Sequence, residues 1–342
     1  MQPVRSKAQP RGSRSPASRS FNKVISSLHL PHHHFLFFPV SHLLRWRRLF
    51  DAVPPSPLQW ARHPLLTRHG LDLMIKRDDL LHPRISGNKW RKLKYVLRQA
   101  VSEQASGLLS FGGAWSNHLH ALAAAGQTLE LPTLGVVRGE PEYADNPTLA
   151  DARHWGMTLA FVDRRQYRRR QEPDWLAALA QRHPGYRLIP EGGSCALALP
   201  GVAELWRELA PADALILPVA SGGTLAGLLS ARPADTRIIG YAVLKGDGWL
   251  AETVSGLYPP AARDPGWRLR LGYHGGGYAK CSADDRQRIA RLASELAVPL
   301  EPVYSGKAML GLFRDIEAGY YPAGSRLIFL HTGGLQGVRG GL

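Results

Sequence analysis

The sequence predicts an α/β fold built on a largely parallel sheet. Two observations point there. Short apolar runs bounded by glycine or proline alternate with stretches of helical period, and glycine- or hydroxyl-rich turns follow several of those runs. From about Leu49 onward the predicted strands are Leu108–Phe111, Leu134–Val137, Leu159–Val162, Arg187–Ile189, Leu215–Val219, Ile238–Val243 and Leu327–Leu330. Each is short and apolar on both faces, as a strand covered by helices on both sides must be. Trp90, Leu93, Leu97 and Val101 recur at helical spacing behind Asn88. A second helix is predicted to start at Ser116, its N-cap, and to run through Leu119, Leu122 and Ala123. Ile289, Leu292, Ala293 and Leu296 mark a third, with Asp284 as N-cap. The segment from Arg164 to Asp174, with five arginines, reads as polar surface.

Composition narrows the function classes. At 342 residues, 44% apolar and 20% charged, the chain has the balance of an ordinary globular protein. No apolar run reaches the roughly 20 residues that cross a bilayer, so a soluble protein without a membrane partner is expected, and the two separated cysteines fit a reducing, cytoplasmic setting. Of the net charge of +16, nine units come from residues 1–48, which contain no acid; +7 remains on the other 294 residues. Residues 1–48 read as a targeting peptide, a disordered basic arm or translated upstream sequence, and are set apart from the fold. His32, His33 and His34 have no acid or cysteine nearby and read as a solvated run, so no metal is expected. Cys195 and Cys281 lie far apart without CxxC spacing, which gives neither a disulfide framework nor a zinc site. Nothing after residue 48 supplies a nucleic-acid readout element, and no nucleic-acid partner is expected.

Five motifs can carry chemistry. In Ser86-Gly87-Asn88-Lys89-Trp90-Arg91-Lys92, a glycine permits close backbone approach and Lys89 sits near a helix start. The helix dipole, burial and the neighbouring Arg91 and Lys92 all favour a neutral, nucleophilic amine there. In Phe111-Gly112-Gly113-Ala114-Trp115-Ser116-Asn117-His118, a strand runs through a glycine turn into a helix whose free N–H groups form an anion site. Ser221-Gly222-Gly223-Thr224 follows another buried strand and reads as a phosphate cradle, without the signature of a Walker loop or of a dinucleotide fingerprint. Pro302-Val303-Tyr304-Ser305-Gly306-Lys307 and His331-Thr332-Gly333-Gly334 complete the set. Four of the five stand at strand ends, where ligands gather in open α/β sheets.

In this order, SGNKWRKL, FGGAWSNH, SGGTLAG, PVYSGKAM and HTGG resemble the 1-aminocyclopropane-1-carboxylate (ACC) deaminase / D-cysteine desulfhydrase family from about Leu49 to the C-terminus. The resemblance implies a pyridoxal 5′-phosphate (PLP) enzyme of fold type II, tryptophan-synthase-β-like. It has two open, mostly parallel α/β sheets and the cofactor in the cleft between a larger and a smaller domain. It implies a large domain of residues 49–90 and 185–342, a small domain of 91–184 inserted in it, and a homodimer. Carried over, Lys89 forms the Schiff base with the cofactor. Asn88, Asn117, Lys92, Ser221, Gly222, Gly223 and Thr224 hold it, with Ser305 and Thr332 among its neighbours. Ser116, Tyr304 and Tyr278 act with Lys89 in catalysis. Trp115, Ser116, Asn117 and His118 meet the substrate. Trp115 stands where many members carry Gln, His120 where Arg is common, and Cys195 where Asn is usual.

The expected activity is deamination of a small amino acid. The true deaminases resemble one another in carrying Glu after the tyrosine of PVY and Leu in the place of Thr332, whereas this chain has Ser305 and Thr332. A hydroxyl cannot keep a pyridine nitrogen protonated as a carboxylate does. That favours β-elimination from D-cysteine over ring opening of ACC. A PLP-fold protein that binds ligand without turnover is the alternative of another class.

Overall fold

Ten strands form two sheets in the computed structural model, which describes residues 39–245, 248–277 and 280–340. The six-stranded sheet has the order β1 (Leu58–Ala61), β2 (Asp72–Lys76), β10 (Arg326–Leu330), β7 (Ala214–Val219), β8 (Arg237–Ala242), β9 (Trp267–Arg270). The four-stranded sheet has the order β5 (Met157–Val162), β4 (Thr133–Arg138), β3 (Gly107–Gly113), β6 (Tyr186–Leu188). Every pairing is parallel except β1 with β2. Parallel strands need a crossover for each return, and helices supply most of them.

Side-chain alternation explains why both faces of the larger sheet are apolar. Ile216, Leu327 and Phe329 pack on one side with the helix Ser305–Glu317. Leu215, Leu217, Ile328 and Leu330 pack on the other with the helix Gly223–Leu229.

All seven predicted strands are present, and three more appear. The edge strands β1 and β9 are mostly half-buried or exposed and mix polar with apolar residues, so neither shows a continuous apolar run. β2 lies inside the sheet, but its last residue is Lys76. That charge is buried because its Nζ donates to the Ser56 carbonyl at 2.6 Å and pairs with Glu208 at 2.7 Å. A lysine satisfied by partners distant in sequence cannot be read as a strand residue.

Two boundaries move. The cap of the helix Ala283–Glu295 is Ser282, whose hydroxyl accepts from Asp285 N, while Asp284 lies in the first turn. A helix runs through the division expected at residue 48. The helix Pro39–Phe50 buries Trp46, Leu49 and Phe50, the Trp46 Nε1 donates to the Lys94 carbonyl at 2.7 Å, and Phe50 packs on Trp90 at 5.2 Å. Its arginines stay outside while its aromatic side chains enter the core, so charge alone misplaced it. Residues 1–38, His32–His34 among them, lie outside the described residues. No helix of the described residues is long and apolar enough to cross a membrane, and they hold no cluster of metal-ligating side chains.

Candidate active site

The ends of strands from both sheets converge on a cavity of about 810 Å³. Its first wall is the turn before the helix Asn88–Ser102. Gly87 has φ +62°, and a methyl group there would stand 1.9 Å from the Thr332 carbonyl oxygen. Only glycine lets this turn lie against the turn after β10, where Asn88 N donates to that carbonyl at 3.1 Å. The Asn88 amide then donates to Thr224 Oγ1 at 2.9 Å, tying the lysine turn to the Ser-Gly-Gly-Thr turn.

Lys89 lies in the cavity wall, open to the cavity but deep within the molecule, with its Nζ donating to Asn88 Oδ1 at 2.8 Å. Burial pushes its amine down to about 8. Arg91 does not supply that pressure. Its guanidinium is held by Asp78 at 2.6 Å and Glu208 at 2.8 Å, and it anchors the helix instead.

The second wall is a cationic hydroxyl cluster. Lys92 Nζ donates to Ser194 Oγ at 2.7 Å, and Ser194 Oγ lies 2.9 Å from Ser221 Oγ. A methyl group on Gly223 would stand 2.6 Å from Ser194 Oγ and 3.0 Å from Lys92 Nζ. Desolvation, followed by the charge of Lys89, holds the Lys92 amine well below its ordinary range. An anion among these groups would relieve both costs.

The third wall is the turn after β3. Ser116 caps the helix Asn117–Leu129 by accepting from Leu119 N at 3.2 Å. Asn117 faces the cavity with a buried Oδ1 that has no partner among the described residues. The His118 ring turns inward, with Nε2 at 2.8 Å from Ser110 Oγ. Since Ser110 donates to the Ile189 carbonyl at 2.7 Å, its oxygen accepts and His118 carries its proton on Nε2. Burial and the two lysines keep this histidine neutral.

Lys89, Asn88, Ser116, Asn117, His118, Ser221, Gly222, Thr224, Tyr304 and Thr332 all line the cavity, and Gly223 and Lys92 stand behind its hydroxyl cluster. Two predicted residues are not brought there. Trp115 is half-buried and not among the lining residues. Ser305 is buried against Glu301, exchanging hydrogen bonds with its backbone N–H and its carboxylate. Tyr278 lies outside the described residues. His120 is a packing residue, bonded to Asp151 at 3.0 Å and edge-on to Trp155.

The structure also adds lining residues that the sequence reading passed over. Ser194 ends Glu191-Gly192-Gly193-Ser194, a glycine turn soon after β6 and thus the same signal as the other motifs. Arg170 belongs to the stretch read as polar surface, yet it lines the cavity and pairs with Glu191 at 2.5 Å.

A lysine amine whose proton affinity burial lowers, a cradle of a lysine and hydroxyls, and a buried amide oxygen without a partner among the described residues fit a phosphorylated aldehyde. The chain matches the family described as pyridoxal-phosphate dependent enzyme over residues 49–333. It belongs to that family. Its cofactor is pyridoxal phosphate.

Among relatives of this PLP-family chain, a putative ACC deaminase of Pyrococcus horikoshii is 30% identical, with 88% of this chain and 93% of that protein covered. A bifunctional D-cysteine desulfhydrase/ACC deaminase, mitochondrial, of Arabidopsis thaliana is 30% identical over 83% of this chain and 77% of that protein. A D-cysteine desulfhydrase of Salmonella typhimurium is 29% identical over 86% of this chain and 96% of that protein. The crystal structure of an ACC deaminase homologue superposes with a TM-score of 0.72 at 28% identity, covering 86% of this chain and 96% of that one. The resemblance read from the five motifs is thereby borne out, and with it the two-sheet fold of type II.

Proposed function

We propose that this PLP-family chain is a D-cysteine desulfhydrase-like lyase, converting D-cysteine and water to pyruvate, ammonia and hydrogen sulfide. The observation that carries the proposal is the chemistry of the cavity wall at Thr332. That residue brings a hydroxyl, and the only carboxylate among the described lining residues is Glu191, already engaged by Tyr167 and Arg170. A wall without a free carboxylate suits removal of a Cα proton with loss of a Cβ substituent. It suits ring opening of a substrate that lacks a Cα proton less well.

Lys89 would hold PLP covalently through Nζ. Lys92, Ser221, Gly222, Gly223 and Thr224 would take its phosphate, Asn88 and Asn117 would flank the ring, and Thr332 would face the ring nitrogen. When bound, the cofactor supplies an electron sink for charge developing at the substrate Cα. The chain's own residues do the rest. The Ser116 hydroxyl and the backbone N–H groups of Asn117 and His118 receive the substrate carboxylate at the helix start. Lys89 Nζ, with its affinity for protons reduced to near the working pH, takes the Cα proton. Ser116 and Tyr304 border the same space and can return a proton to the departing sulfur.

The test is keto-acid release from D-cysteine, L-cysteine, D-serine, β-chloro-D-alanine and ACC by the PLP-loaded protein, with the visible spectrum recorded. Pyruvate and sulfide from D-cysteine are expected. Release of 2-oxobutanoate from ACC as the main activity would replace this reading by the deaminase one. Cofactor absorption without any turnover would make the chain a ligand-binding relic.

A further inference from the structure

Glu301 is a buried carboxylate beside the cavity, and the cavity chemistry does not use it. It is 1% exposed and forms no salt bridge among the described residues. Backbone N–H groups satisfy it instead. Glu301 Oε2 accepts from Val303 N at 2.6 Å, Oε1 accepts from Tyr304 N at 2.8 Å, and Oε1 accepts from Ser305 N at 2.5 Å. The Ser305 hydroxyl donates to the same carboxylate at 3.1 Å and accepts from Glu301 N at 3.2 Å.

This is the work of a helix cap. Tyr304 is the N-cap residue of the helix Ser305–Glu317, and its side chain makes no capping bond. A phenol is too long to reach back to its own helix start, so Glu301 supplies the acceptor from three residues upstream. The packing is close. A methyl group on Gly306 would stand 2.6 Å from the Glu301 carbonyl oxygen. One on Gly334 would stand 3.6 Å from the Tyr304 ring and 3.9 Å from the Glu301 carboxyl carbon. Glu301, Tyr304 and the turn after β10 are thus one packed unit.

We propose that Glu301 is a positioning residue, whose carboxylate fixes the backbone of Val303, Tyr304 and Ser305 so that the Tyr304 phenol faces the substrate space. This rests on the reading of Tyr304 as a substrate-facing residue. Burial pushes the Glu301 carboxyl up to about 7, so the group is held close to losing its charge, and the N–H bonds keep the ionised form in place.

A double-mutant cycle on the PLP-loaded enzyme tests it, using Glu301→Ala, Glu301→Gln, Tyr304→Phe and the combination of Glu301→Ala with Tyr304→Phe. The readouts are kcat/KM for whichever amino acid the wild type turns over, the cofactor's visible band, and hydrogen exchange of the segment 299–309. The expected result is a loss of about 10- to 100-fold in kcat/KM for both Glu301→Ala and Tyr304→Phe, a double variant no worse than the poorer single one, and an unshifted visible band. Glu301→Gln, whose amide oxygen still accepts, should recover part of the loss. Losses that multiply in the double variant would overturn the proposal, as would unchanged exchange at 299–309 in Glu301→Ala. If the wild type turns over none of the amino acids, the functional reading fails first. Faster exchange at 299–309 in Glu301→Ala would then still support the cap, and unchanged exchange would refute it.

Discussion

Lys89 and Thr332 decide different things about the site. Lys89→Ala should remove the visible absorption of protein-bound cofactor while leaving the fold intact, since the amine donates to Asn88 and lies outside the hydrophobic core. A band that persists would sink the assignment. The pH dependence follows from the direction of the shift. Burial lowers the amine to about 8, so the neutral, nucleophilic form grows as pH rises through that value. Capture of PLP by the cofactor-free protein, followed by stopped-flow absorbance, should speed up roughly tenfold between about pH 7 and pH 9 and then level off. An ordinary lysine would gain about a hundredfold over the same range and keep rising. Thr332→Glu should shift keto-acid release from D-cysteine towards ACC, because a carboxylate there holds a ring nitrogen protonated. Ser305→Glu should not do so. It would put a second carboxylate against Glu301 in a buried space, and thermal melting should show lost stability rather than altered specificity.

Among the elements, the helix Pro39–Phe50 shows how charge can hide a core segment. Its Arg45, Arg47 and Arg48 made it look like part of a basic arm, while Trp46, Leu49 and Phe50 are buried beside Trp90. Trp46→Ala should cost about 3 kcal/mol in denaturant unfolding, since it empties a core site and leaves the Lys94 carbonyl without its donor. A cost near zero would return this helix to the arm. The other strongly held element is the start of the helix Asn88–Ser102. Asp78 and Glu208 grip Arg91 from two sides, and the Gly87 turn is pressed onto Thr332. The lysine is aimed by this scaffold and not by its own helix alone.

For the whole molecule, the cavity is assembled from both sheets. Ser116 and Asn117 come from the end of β3, while Ser221, Thr224 and Thr332 come from the ends of β7 and β10. A ligand that bridges the two binds the folded chain and not the unfolded one. PLP should therefore raise the melting temperature in a concentration-dependent way, by about 2.7 kcal/mol of stability at a hundredfold excess over Kd. The Lys89→Ala variant should show a smaller rise, and equal rises would mean that the lysine does not hold the cofactor.

The strand–helix alternation, the five strand-end or turn motifs and the lysine of GNK are legible in the linear chain, because local period and turn chemistry depend on near neighbours. The sites of Ser116 as cap and of Asn88, Ser221, Thr224 and Thr332 on one cavity follow the same logic. Other features were decided only in three dimensions. Lys76 is a strand residue because Glu208, far along the chain, pairs with it, and Arg170 turns from surface to cavity through Glu191. Ser305 stands off the cavity because Glu301 claims its hydroxyl, and Trp46 joins the core because Lys94 and Trp90 receive it. In each case a polar or charged side chain has its desolvation cost met by a partner that no local pattern announces.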